Sequence, residues 1–150
     1  MDENRYPAPE GYRWVVCARK KDIQWEAMRA WRNKQAQDRF HRLEEMFQTG
    51  QKDDTVLKIT EDGIYSWHGE LYRKGQTLEE YMAKFGIPDS WKYPISVCGV
   101  FTEEEYFDEY HCEYDPKVEG DQEEKWRLQL EEFIDDEDDN TVFVGIDYHI

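Results

Sequence analysis

Val56-Leu57-Lys58-Ile59-Thr60-Glu61-Asp62-Gly63-Ile64-Tyr65-Ser66-Trp67 is a pair of short β-branched and aromatic runs around an Asp-Gly turn. That pattern predicts a β-hairpin. Just upstream, residues 22–47 read as a long helix. Trp25, Met28, Ala36, Phe40, Leu43 and Phe47 recur at three- and four-residue steps, Arg32 interrupts them, and Gly50 follows the end. Long helix and hairpin side by side set the α+β character of the chain.

The flanking segments extend it. Thr77-Leu78-Glu79-Glu80 is a capping box that opens a short helix, and Gly86 closes that helix before Pro88. Tyr12-Arg13-Trp14-Val15-Val16-Cys17 and Ile95 to Phe101 read as strands. Residues 122–135 predict a helix with Trp126, Leu130, Phe133 and Ile134 on one face, followed by a strand over Thr141 to Tyr148. Residues 1–9, with Pro7 and Pro9, read as an irregular arm. Over residues 102–114 two readings compete. Thr102-Glu103-Glu104-Glu105 is a possible helix cap, but Tyr106, Tyr110, Cys112 and Tyr114 alternate with Glu105, Glu109, His111 and Glu113, which fits a half-buried strand better. The expected fold is a single α+β domain, a mostly antiparallel sheet of about five or six strands with about three helices packed on it.

Composition fits one folded domain. The 150 residues suffice for one core and are too few for two comfortable ones. Aromatics make up 15% of the chain, which offsets the disorder tendency of 36% charged residues and a mean hydropathy of −1.01. The three cysteines, Cys17, Cys98 and Cys112, are too sparse and too few for a disulfide framework. Met1 to Pro7 has no apolar signal-peptide core, and no run of 18 apolar residues occurs, so a cytoplasmic protein is expected.

Charge is divided sharply. Residues 1–86 carry 15 Lys/Arg against 15 Asp/Glu, and residues 87–150 carry 4 against 20, which accounts for the formal charge of −16. Glu131, Glu132, Asp135, Asp136, Glu137, Asp138 and Asp139 crowd a helix C-terminus, where the macrodipole is already negative. Each carboxylate there costs a few tenths to about 1 kcal/mol, so local stability favours Lys or Arg instead. Carboxylates at i and i+4 lie about 6 Å apart along a helix axis, and alternate strand residues such as Glu103 and Glu105, or Glu109 and His111, roughly 6.5–7 Å apart. Phosphates along a DNA strand step by a comparable distance. Glu103, Glu104, Glu105, Asp108, Glu109, Glu113 and the helix-end acids are therefore the expected partner-binding residues, an acidic face shaped for a basic nucleic-acid-binding surface. The plainer reading of the same acids is a solvated face that confers solubility, and both readings stand at this point.

The stretch Glu124-Lys125-Trp126, Glu132-Phe133-Ile134, Asp139 and Thr141-Val142-Phe143-Val144-Gly145-Ile146-Asp147-Tyr148-His149-Ile150 resembles the tail of a group of small uncharacterised proteins. These occur in phages and mobile elements of Gram-positive, often gut, bacteria and typically end in valine–aspartate–cysteine–histidine–isoleucine. Tyr148 stands where their cysteine would be, and their proline–aspartate–glycine–glutamate–tryptophan–histidine segment is replaced by the acidic stretch near Phe101 to His111. Pro9-Glu10-Gly11-Tyr12-Arg13-Trp14-Val15 also resembles the start of other mobile-element proteins. The resemblance implies a genomic setting and transfers no functional residues.

Other chemistries find weaker support in the residues. A calcium loop from Asp135 needs glycine at its sixth position and glutamate at its twelfth, where Asn140 and Ile146 stand. Cys98, His111, Cys112 and His149 lack zinc-ligand spacing. No metal or cofactor is expected. Cys112 or Cys98 with His149 and Asp147 offers a nucleophile and base, and Trp67-His68-Gly69-Glu70 has catalytic residue types, although Gly69 more simply marks a turn or bulge. Arg19, Lys20, Lys21, Arg29, Arg32, Lys34, Arg39 and Arg42 are interleaved with acids, so internal salt bridging or packing near the acidic half is their plainer role. The preferred expectation is a non-enzymatic phage or mobile-element protein that blocks a basic nucleic-acid-binding surface of a host defence protein, in the manner of an anti-CRISPR or anti-restriction inhibitor. It would bind no nucleic acid directly and no membrane. The alternatives are a small hydrolase or nucleotide-handling enzyme using His68 and Glu70 or Asp147 and His149, and an accessory structural protein that oligomerises through exposed aromatics.

Overall fold

The computed structural model describes residues 6–7, 14–15, 17–110 and 120–145. The chain is α+β, with every described strand pair antiparallel. It divides into two compact units: one continuous, Trp25–Trp91, and one built from Met1–Gln24 and Lys92–Ile150.

The continuous unit begins with α1 (Trp25–Thr49), whose C-terminal half carries the apolar stripe expected of it. Phe40, Leu43 and Met46 are buried, with Ala36 and Phe47 packed around them. Helix α1 starts three residues later than the apolar spacing suggests, because Lys20–Asp22 form a separate 3-10 turn. The first half of α1 buries polar groups. Arg29 is buried, and its guanidinium donates to the carbonyls of Pro88 (2.8 Å) and Trp91. Asn33 accepts from the backbone N–H of Ile87 at 2.7 Å. These side chains hold the exit of the unit beside its entry.

Across the core lies the sheet β4 (Lys58–Ile59), β5 (Gly63–Ser66) and β6 (Gly69–Arg73), in that order. The predicted hairpin is present, with Lys58 opposite Tyr65 and Ile59 opposite Ile64. Its glycine serves a different purpose from the expected turn. A Cβ on Gly63 would lie 2.2 Å from the Tyr72 carbonyl oxygen, so the residue is glycine because β6 passes too close for any side chain. Helix α2 (Leu78–Phe85) opens on the expected capping box: Thr77 accepts from the Glu80 N–H at 3.2 Å, and Glu80 accepts from the Thr77 N–H at 2.9 Å. Its Tyr81 tilts against Phe40, with ring centroids 5.3 Å apart, and completes a core of Phe40, Leu43, Met46, Val56, Ile64 and Tyr72.

The acidic unit is organised by α3 (Gln122–Asp136), N-capped by Asp121, with Trp126, Leu130 and Ile134 buried. The hairpin β7 (Gly99–Phe101) and β8 (Tyr106–Asp108) packs on it: the Phe107 ring lies edge-on to Trp126 and Phe133, at 5.9 and 5.3 Å. The Trp126 indole donates to the Val97 carbonyl at 2.8 Å. Strand β3 (Cys17–Arg19) pairs with β9 (Val142–Val144), which turns Phe143 toward Phe133. At the N-terminus, β1 (Tyr6–Pro7) pairs with β2 (Trp14–Val15), so the arm expected to be irregular contains a short strand.

The strands gather into pairs and one triplet rather than a broad sheet. Each is two to five residues long, and aromatic side chains rather than long ladders supply the buried area. The strand reading of 102–114 holds for Tyr106–Asp108, but its phase is reversed. Tyr106 was expected inside; it is exposed, and Phe107 turns inward. Residues 111–114, the end of the last expected strand (146–148) and most of the arm lie outside the described residues.

Gly63→Ala should destabilise the chain by about 1–3 kcal/mol, because the added methyl forces β5 and β6 apart. A lowered urea midpoint with an unchanged slope would record this; an unchanged midpoint would mean that the two strands separate freely.

Candidate functional site

The described members of the expected partner-binding acids sit on α3 and its C-terminal extension and on or next to the β7–β8 hairpin, all within the acidic unit. Residues 25–91 carry 10 Lys/Arg against 12 Asp/Glu, whereas the rest of the chain carries 9 against 23. The folded unit therefore concentrates the charge even with the basic Arg19-Lys20-Lys21 segment included.

That basic segment resolves the conflict at the end of α3. The Lys20 ammonium donates to the carbonyls of Glu137 (2.7 Å) and Asp135 (3.2 Å), two of the acceptors that a helix leaves without partners. The backbone N–H groups of Lys20 and Lys21 donate to Thr141 and Asp139. A cation thus sits at the negative pole of the helix, as dipole logic requires, but it comes from the other end of the chain. The cost assigned to these acids from local sequence alone is offset by the fold.

Several of the acids are committed to internal contacts. Asp135 bonds the Lys92 ammonium at 2.6 Å and the Tyr93 hydroxyl. Glu131 accepts from Arg127 and from the Lys92 N–H, both at 2.9 Å. Glu137 accepts from the Thr141 hydroxyl, and Asp138 from the Asn140 N–H. Asp108 is buried and accepts from the Tyr110 N–H at 2.9 Å. The Glu109 carboxylate beside it raises the pKa of the Tyr110 hydroxyl. Burial and the Asp135 hydrogen bond push the Tyr93 hydroxyl well above its ordinary pKa. Hydrogen bonds from Lys92 and Tyr93 hold Asp135 below its ordinary value.

The rest are exposed. Glu103, Glu104, Glu105, Glu132, Asp136 and Asp139 make no side-chain hydrogen bond or ion pair among the described residues. Glu132 and Asp136 stand one helical turn apart on α3, as the phosphate-step argument requires. Glu103 and Glu105 do not occupy alternate strand positions. They lie in the connection Thr102–Glu105, where the Thr102 hydroxyl accepts from the N–H groups of Glu104 and Glu105 as a helix cap would. The competing cap and strand readings each describe part of this hairpin. Glu113 lies outside the described residues.

Beside the acids is a feature that the sequence reading missed. Phe101, Tyr106 and Tyr110 are 77%, 53% and 77% exposed, and the Phe101 and Tyr106 rings stack at 4.4 Å. The available signal was β-register. Phe101 is opposite Tyr106, so the inward turn of Phe107 obliges both rings to face out.

The alternative sites lie only partly among the described residues. His68 and Glu70 are exposed at the β5–β6 turn and outside the 290 Å³ surface cavity lined by Lys52, Asp53, Asp54, Val56, Leu57 and Trp67. Cys17 and Cys98 are exposed free thiols, while His111, Cys112, Asp147 and His149 lie outside the described residues. No three His, Cys, Asp or Glu side chains converge on a metal-sized position among the described residues. No helix among them is long and apolar enough to cross a membrane. Comparison with protein-family models, curated proteins and solved structures returns no match.

Replacing Lys20 with Met should cost about 1 kcal/mol, since two helix-end carbonyls lose a charged donor, and the urea midpoint would measure it. Asp135 should also make stability depend on pH. Its folded pKa lies below the ordinary 3.8, so its contribution is complete above that value and is lost as pH falls through the lowered folded value. The urea midpoint of the wild type should therefore fall more steeply than that of Asp135→Asn below about pH 4; parallel curves would place the ion pair with Lys92 outside the stability of the fold.

Proposed function

We propose that the chain is a non-enzymatic binding protein that uses its acidic unit to occupy a basic nucleic-acid-binding surface of another protein. The observation that carries this reading is the segregation of charge between the units, with the carboxylates of Glu103, Glu104, Glu105, Glu132, Asp136 and Asp139 left without internal partners among the described residues. Solubility needs charge, but it does not need one sign gathered on one unit while the other stays near neutral. A field of one sign raises encounter rates with an oppositely charged surface and rejects partners of like charge.

The fold suits such a role. Glu132 and Asp136 project from a helix whose opposite face is buried, so their separation is fixed near the step between phosphates. Committed acids such as Asp135 and Glu131 hold the scaffold and leave the exposed ones available. The partner surface would be one that normally grips nucleic acid with Lys and Arg. The resemblance of the chain's tail to phage and mobile-element proteins makes a host defence protein, such as a CRISPR effector or restriction enzyme, the expected target, met in the cytoplasm of the bacterial host. Blocking its nucleic-acid groove would inhibit it without any chemical step.

Capture of proteins from a bacterial host lysate by the immobilised chain tests this reading when carried out with competitors. Captured proteins should be nucleic-acid binders, should be released by added double-stranded DNA, and should elute as salt rises from low to high. A variant with Lys at Glu103, Glu104, Glu132 and Asp136 should capture none of them. Partners that survive high salt, DNA competition and charge reversal would sink the proposal.

A further inference from the structure

We propose that the outward face of the β7–β8 hairpin, the stacked pair Phe101 and Tyr106, binds an arginine side chain of the basic partner. This rests on the partner-binding reading above and names the contact within it that supplies specificity. The hairpin has two faces. Val100 and Phe107 form the inner one, and Phe107 packs on Trp126 and Phe133. Phe101 and Tyr106 form the outer one, 77% and 53% exposed, with Tyr110 two residues beyond the strand and 77% exposed. The core is complete without these rings.

Their placement is nevertheless well defined. Phe101 and Tyr106 are directly cross-strand, with ring centroids 4.4 Å apart and planes inclined by 35°. The Tyr106 ring lies over Gly99, where a Cβ would come within 3.1 Å of both its edge and its hydroxyl. The nearby Asp108 carboxylate raises the pKa of that hydroxyl. Glycine at position 99 thus leaves room for one ring against the strand, and that ring packs on its partner. An exposed aromatic surface seated in this way is suited to stacking.

Charge decides what stacks there. Glu103, Glu104 and Glu105 form the tip beside the pair, without internal side-chain partners, and Glu109 follows β8. Nucleobases stack on aromatic faces, but they bring phosphates, which these carboxylates repel. A second copy of the chain would oppose the same acids to one another. Lysine brings a positive charge but no plane, and its ammonium stays strongly hydrated. Arginine matches both parts of the site: its guanidinium plane stacks on Phe101 or Tyr106 while its N–H fork reaches a glutamate. Arginine is also the residue by which many proteins grip phosphates, so the target surface proposed above supplies it.

The test is titration of the full chain with oligo-arginine and oligo-lysine peptides of equal length, at one fixed salt concentration, read by fluorescence anisotropy. The expected result is a preference for the arginine peptide of about five- to tenfold. Phe101→Ala should reduce that preference to near unity, with the lysine peptide's affinity unchanged. The double variant Glu132→Lys and Asp136→Lys should weaken both peptides alike and keep the preference. Tyr106→Phe, which retains the ring and loses only the hydroxyl, should keep at least part of it and guards against a folding defect in the alanine variant. Equal affinity for both peptides, or a preference that survives Phe101→Ala, overturns the arginine contact and leaves the acidic-face reading standing. Failure to bind either peptide overturns both. Tight binding of a single-stranded oligonucleotide, or concentration-dependent dimerisation lost in Phe101→Ala, would assign the face to another occupant.

Discussion

The Lys20 ammonium at the C-terminal carbonyls of α3 is the contact on which the acidic unit depends. A helix that ends Glu131-Glu132-Phe133-Ile134-Asp135-Asp136 places side-chain charge on top of its own dipole, and its last turn holds no basic residue to relieve it. Relief comes from a residue 115 positions earlier in the chain. The same segment pairs β3 with β9 and so brings Phe143 to Phe133. Lys92 and Tyr93, where the chain re-enters the unit, then take Asp135 and Glu131. One electrostatic requirement therefore draws both ends of a split unit onto the same helix end. The acids there are not surplus charge laid over a finished fold; part of their role is to select the cations that close it.

How much of this was legible in the sequence depended on the range of each interaction. The capping box of Thr77 and Glu80 is complete within four residues, and it formed as read. The stripe of α3 follows a fixed period and placed Trp126, Leu130 and Ile134 correctly. Gly63 shows the limit of local reading. Its neighbours announce a turn, and a turn is there, but the constraint on the residue is the Tyr72 carbonyl on a third strand. The N-terminal half of α1 shows it again. Arg32 broke the apolar pattern visibly, but only the folded chain reveals that Arg29 and Asn33 hold the backbone of residues 87–91.

The hairpin at 99–108 illustrates a different failure. Alternation was read correctly as strand, but its phase was assigned from the tyrosines, on the assumption that the recurring aromatic marks the core. A single ring decided otherwise. Phe107, between Tyr106 and Asp108, meets Trp126 and Phe133, and in a strand that choice reverses every neighbour at once. Asp108 shares the outer face with Tyr106 and is nevertheless buried, accepting from the Tyr110 N–H. The aromatics exposed by this reversal could not have been found from composition, which counts rings without saying which way they point.

These corrections alter the meaning of the acidic surface. Read along the chain, thirteen carboxylates appeared equivalent, and any of them would serve to test a role in binding. In the folded unit eleven of them fall into two populations. Asp108, Glu131, Asp135, Glu137 and Asp138 accept hydrogen bonds that shape the scaffold, so removing their charge perturbs structure first. Glu103, Glu104, Glu105, Glu132, Asp136 and Asp139 perturb only the field outside. A loss of binding on substituting the first group is evidence about folding, and only the second group reports on recognition. The long-range attraction that the exposed acids supply falls off over about 8 Å at physiological salt, and it does not distinguish one cation from another. Discrimination has to come from a surface with shape, and within this unit the aromatic pair beside Glu103–Glu105 has one. On the binding role proposed above, charge on the helix end and stacking at the hairpin would be complementary: the first would govern encounter, and the second would discriminate between cations that the field treats alike.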